Sequence, residues 1–141
     1  MSSSAETAGR DNTASIKAMA KQSGDTTQFT SRYCTGHIGF CIPVHRNWYF
    51  QSFGANISPY LWHVEIADHA VEQEGDGIII VNLVQGGLEG SEGVAVERGS
   101  FVVAEKQWTG KRHFAITAPR ELKAAVEYMA GGLSVYEETA Q

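Results

Sequence analysis

From Arg32 onward, apolar side chains alternate with polar or small ones, the period of two that strands with one buried face require. Ile38, Phe40, Ile42 and Val44 alternate with Gly39, Cys41, Pro43 and His45, and Tyr33, Cys34 and Thr35 before Gly36 read as the hairpin partner of that strand. Trp62, Val64 and Ile66 alternate with His63, Glu65 and Ala67, which predicts a half-buried strand with the histidine and the glutamate on its polar face. Ile78 to Val84 is short, β-branched and bounded by GDG and QGG, so it reads as a central strand buried on both faces. Val94 to Glu97 and Phe101 to Trp108 form a further hairpin turned at Arg98, Gly99 and Ser100, and His113 to Ala118 supplies a last strand. Connections this short make the meander antiparallel.

One helix is well marked. Pro119 suits a first helical position, Glu121 a first turn, and Leu122, Ala125, Val126, Met129 and Leu133 recur at helical spacing before Gly131 and Gly132. Such an apolar stripe needs a sheet face to cover. The expected fold class is α+β, an antiparallel sheet of about five to seven strands with the C-terminal helix packed on one face. Residues 1–31 contrast with this pattern: they carry three basic and three acidic side chains, and Met1, Ile16, Met19 and Phe29 are their only large apolar groups. Thr13 to Lys21 has Ile16, Met19 and Ala20 on one helical face, but an isolated helix of that length is marginal in water. The expectation is a mobile tail over 1–31 and one α+β domain over 32–141.

Composition narrows the class without changing it. The chain has 141 residues, 43% apolar and 19% charged, with 15 Gly and 3 Pro, which suits one globular core and excludes collagen-like and wholly disordered chains. Eleven Lys and Arg against sixteen Asp and Glu give a net charge of −5, without the cationic footprint that nucleic acid demands. The apolar runs fall short of the roughly 20 residues of a membrane span. The start of the chain lacks a secretory pattern, so the expectation is a cytoplasmic protein if the chain is complete, and a cell-envelope protein if an export segment has been removed.

Candidate chemistry is sparse. In a hairpin centred between His37 and Ile38, Cys34 and Cys41 fall opposite each other, a register that permits a disulfide worth about 2 to 3 kcal/mol in an oxidising compartment. Two reduced, half-buried thiols are the alternative. His63 and Glu65 share a strand face, with Asp68 and His69 close behind, and two histidines with a carboxylate are able to hold a divalent metal or serve as acid and base. That spacing matches no established metal signature, and neither His45 nor His113 has a fixed relation to it. No metal and no cofactor is therefore expected. GxSxG, GxGxxG and GxxxxGK[ST] are absent as well.

The most distinctive stretch is IPVHRNWYFQSFG, where Arg46 and Asn47 interrupt an aromatic run. Core packing accounts for such a run, and so does a recognition surface presenting Arg46, Trp48 and Tyr49, residue types enriched at interface hot spots. The strand GFCIPVHRNW, the meander after it and the final strand and helix HFAITAPRELKAAVEYMAGGL resemble, over residues 36–133, the plan of PsbP-like domains and their small bacterial lipoprotein relatives. That resemblance implies a non-enzymatic accessory domain and supplies no catalytic residue. The functional expectation is a binding module that recognises a protein or small-molecule ligand through a sheet face, with Arg46, Trp48, Tyr49, Trp62 and His63 as contact residues. The alternative is a metal-dependent or acid/base enzyme using His63, Glu65 and His69.

Overall fold

A computed structural model describes residues 12–54, 60–88 and 95–136. Helix α1 (Thr13–Gln22) and a 3-10 turn (Thr26–Gln28) lead into β1 (Ser31–Thr35), β2 (Phe40–Val44), β3 (Tyr49–Gly54), β4 (Tyr60–Ala67) and β5 (Ile79–Gln85). Strands β6 (Val96–Arg98), β7 (Phe101–Trp108) and β8 (Arg112–Pro119) follow, then a 3-10 turn (Arg120–Leu122), helix α2 (Lys123–Gly131) and a short β9 (Ser134–Val135). The fold class is α+β with antiparallel strands, as the alternation of apolar residues predicts. Pro119 is extended at ψ 146° and ends β8, so α2 starts four residues later than the proline suggests.

The strands divide into two sheets rather than one. Six run in the order β3-β4-β5-β8-β7-β6, while the β1–β2 hairpin forms a separate three-stranded sheet with β9. The hairpin register pairs Cys34 with Cys41, and the two are joined as a disulfide. Of the large sheet's two faces, the inner one holds Val64, Ile66, Val81, Leu83, Val102, Ala104, Phe114, Ile116 and Ala118, all essentially inaccessible to solvent. Two elements cover it. The stripe Ala125, Val126 and Met129 of α2 is fully buried, and the hairpin adds Phe40, whose ring meets Phe114 edge to face at 4.7 Å. The outer face of β5 is half-buried rather than closed: Ile80, Asn82 and Val84 keep partial access to solvent, so the central strand is sealed on one side only.

The N-terminal segment departs from expectation. From Thr13 onward it is not a tail: α1 is formed, Met19 is fully buried and Phe29 lies in the same apolar cluster as the sheet. Composition judged this helix in isolation, whereas its stability comes from tertiary partners. The Trp48 indole N–H donates to Gln22 Oε1 at 2.8 Å, and Phe29 sits edge-on to both His45 and Trp48 and tilted against Tyr128. Residues 1–11 lie outside the described residues, as does Val94 of the expected hairpin strand.

If α1 is docked, Met19→Ala removes a filled core position and destabilises the protein by about 2 to 5 kcal/mol. Urea unfolding of the two proteins measures it. A difference below about 0.5 kcal/mol, the range of an exposed site, would show that the helix does not pack.

Candidate functional site

Strand β4 alternates as the sequence predicts, but its polar side is not a solvent face. Val64 and Ile66 point inward, and on the opposite side His63 is 9% and Glu65 only 2% exposed. The cover is the segment between β4 and β5, which folds back so that its backbone lies on the glutamate. Gly75 N–H donates to Glu65 Oε1 at 3.0 Å and to Oε2 at 3.1 Å, and Gly77 N–H donates to Oε1 at 2.8 Å. A Cβ on Gly77 would overlap the Glu65 Cβ and come within 3.1 Å of its Cα, so only glycine permits this approach. The turn is held in its own right by Asp76 Oδ2, which accepts from the N–H groups of Glu72 and Gln73.

His63 completes the arrangement. Its Nε2 lies 2.7 Å from Glu65 Oε2, and its Nδ1 lies 2.6 Å from Oδ1 of Asn82, its cross-strand partner on β5. Glu74 brings a second carboxylate 3.9 Å from the same Nε2. Burial opposes charge on this imidazole, but the hydrogen bonds to Glu65 and Asn82 and the charges of Glu65 and Glu74 outweigh it and raise its pKa above 6.5. A second, looser pair lies further along the outer face. His113 shares its Nδ1 with the Gly86 carbonyl at 2.7 Å and holds Nε2 3.8 Å from Glu105.

The other expected contact residues scatter. Trp62, although next to His63, faces inward, and its indole N–H donates to the Tyr33 hydroxyl at 3.0 Å, tying the hairpin to the large sheet. Trp48 is 5% exposed and stacks on His45, so it anchors the core and presents no recognition surface. Arg46 is exposed beside it, and Tyr49, 54% exposed, stands on β3 opposite Ala67. His69 shares Nδ1 with the neighbouring Ala70 carbonyl and stays outside the cluster, as do His45 and His113. The cluster's third member is Glu74, which pattern reading overlooked together with Asn82 and the two glycines. One signal was available: residues 47–97 contain no Lys or Arg but eight of the sixteen acidic residues.

His45 shows the opposite behaviour to His63. Burial and the neighbouring Arg46 charge lower its pKa below 6.5, against a smaller opposing pull from Asp25. Its Nδ1 accepts the Asn47 N–H at 3.0 Å, a bond that the neutral ring makes. No protein-family model matches the chain, and no curated protein matches it.

Two outcomes follow from this geometry. Gly77→Ala pushes the covering loop off Glu65 and destabilises the fold by about 1 to 3 kcal/mol, read from denaturant midpoints; an unchanged midpoint would mean that the loop does not rest on the carboxylate. In chelator-treated protein followed by NMR, the His63 ring titrates above 6.5 and the His45 ring below it. The linkage signs are opposite. Stability from His63 is full below 6.5 and lost as pH rises through its raised folded value, whereas that from His45 is present above 6.5 and lost as pH falls through its lowered folded value. Coincident midpoints for the two rings would contradict the assignment.

Proposed function

We propose that this chain is a non-catalytic accessory or binding module that recognises a protein or small-molecule ligand through the outer face of its six-stranded sheet. One observation carries the reading. At the centre of that face stand Ile80, Asn82 and Val84 of β5, Val103 and Glu105 of β7, and Ala115 and Thr117 of β8, all half-buried, with Glu105 the only charged side chain among them. A face meant only for water carries long charged residues at such positions. Here four apolar side chains with one amide, one hydroxyl and one carboxylate among them make a surface suited to a partly apolar ligand that also accepts and donates hydrogen bonds.

Both helices serve the opposite side of the sheet. Neither helix lies across the outer face; the described β4–β5 connection covers it at Glu65, and the face carries His63 and Glu65 on β4 and His113 on β8. The acid/base alternative draws no support from the geometry, because His63 and Glu65 are engaged with each other and lie under the Gly75–Gly77 backbone. The PsbP-like resemblance implies the same non-enzymatic class.

The test is NMR mapping with labelled protein in fractionated extract of its source cell. Amide shifts are expected to cluster at Ile80, Asn82, Ala115 and Thr117 and to vanish in Ala115→Lys, which places a charged chain in the middle of the face. Perturbations confined to the β1–β2 sheet, or undiminished in that variant, would move the recognition surface elsewhere.

A further inference from the structure

We infer that His63, Glu65 and Glu74 form a binding site for one divalent transition-metal cation, with Asn82 orienting the histidine. One ligand atom from each of the three lies within 4.8 Å of the others, a hard-to-borderline set of one imidazole nitrogen and two carboxylate oxygens of the kind zinc and manganese accept. Three protein ligands leave a coordination position for water or for a group of the bound partner.

The surroundings are built as such a site needs. Asn82 Oδ1, 2.6 Å from His63 Nδ1, accepts that N–H and so directs the Nε2 lone pair at the carboxylates, the role that an outer-shell acceptor plays for metal-bound histidines. Glu65 is held in place by the Gly75 and Gly77 N–H groups before any ion arrives. Glu74, with a side chain 56% exposed, is the outermost of the three ligands. Tetrahedral coordination at zinc's bond lengths sets the ligand atoms about 3.3 Å apart. That distance falls between the 2.7 Å from Nε2 to Glu65 and the 3.9 Å from Nε2 to Glu74, so small opposite movements of the two carboxylates seat an ion in place of the shared proton.

Charge points the same way. The β4–β5 connection that covers the cluster carries Asp68, Glu72 and Asp76 besides Glu74 and contains no lysine or arginine. Glu65 and Glu74 thus bring two carboxylates to one imidazole from a segment without cationic side chains, and a cation lowers their mutual repulsion.

Titration calorimetry of the chelator-treated full chain with zinc chloride tests the proposal, and it needs no knowledge of the sheet-face ligand. The expected result is one ion per chain with a dissociation constant in the micromolar range or tighter. Glu74→Gln, at an exposed position that leaves the fold intact, should weaken binding at least tenfold, His63→Ala should abolish it, and Asn82→Ala should weaken it by about 10- to 100-fold. His69→Ala should leave it unchanged. Absence of stoichiometric binding, equal affinity in wild type and Glu74→Gln, or loss of binding in His69→Ala would each overturn the assignment. Because Glu74→Gln carries the decision, instability of the His63 variant does not obscure the outcome.

Discussion

A carboxylate with 2% exposure cannot be left unsatisfied, and the organisation of the outer face follows from how Glu65 is accommodated. Two backbone N–H groups and one imidazole meet its oxygens, which obliges the β4–β5 connection to fold flat onto the sheet. That in turn obliges glycine at position 77, where any side chain meets the Glu65 stem. His63 is then fixed from both sides, by Glu65 and by Asn82 on the next strand. Removing one partner would leave the other as a buried polar group at a cost of about 1 to 3 kcal/mol or more, so the four residues and the loop act as one unit.

The inner face obeys a different constraint. A six-stranded sheet exposes more apolar surface than a nine-residue helix covers, and the remainder is closed by the separate β1–β2–β9 sheet, while α1 adds Met19 to the same apolar cluster. Aromatic side chains with a polar end make the joints. Trp62 donates to Tyr33, which links the hairpin to β4, and Trp48 donates to Gln22, which links α1 to the start of β3. Each indole buries its ring and still places its N–H on an acceptor, so apolar burial and hydrogen bonding reinforce each other at these contacts. The Cys34–Cys41 disulfide closes the hairpin at the register its alternation sets.

These two solutions divide the labour of the molecule. The inner side spends its large apolar residues on cohesion, and the outer side keeps half-buried Ile80, Val84, Val103 and Ala115 beside a His–Glu–Glu cluster. A ligand on that face would meet a mixed apolar and polar surface with the cluster at its margin. The edges of the large sheet differ as well. β6 is three residues long with Glu97 and Arg98 exposed, a composition that discourages strand pairing, whereas β3 presents uncharged Tyr49, Phe50 and Gln51.

Alternation of apolar residues along β2, β4, β7 and β8 and the stripe Leu122, Ala125, Val126, Met129 were enough to establish strands, helix, fold class and the Cys34–Cys41 register, because each depends on neighbours close in sequence. The division into two sheets and the docking of α1 were not legible there: they depend on Phe40 meeting Phe114, Trp62 meeting Tyr33 and Trp48 meeting Gln22, contacts across 26 to 74 residues that no local period encodes. The candidate site divides the same way. His63 and Glu65 stand out as a pair on one strand face, but burial of that face, the role of Asn82 and the approach of Glu74 were decided by the loop that closes on Glu65. A period of two tells which side chains share a face, and only the folded backbone decides what lies on top of it.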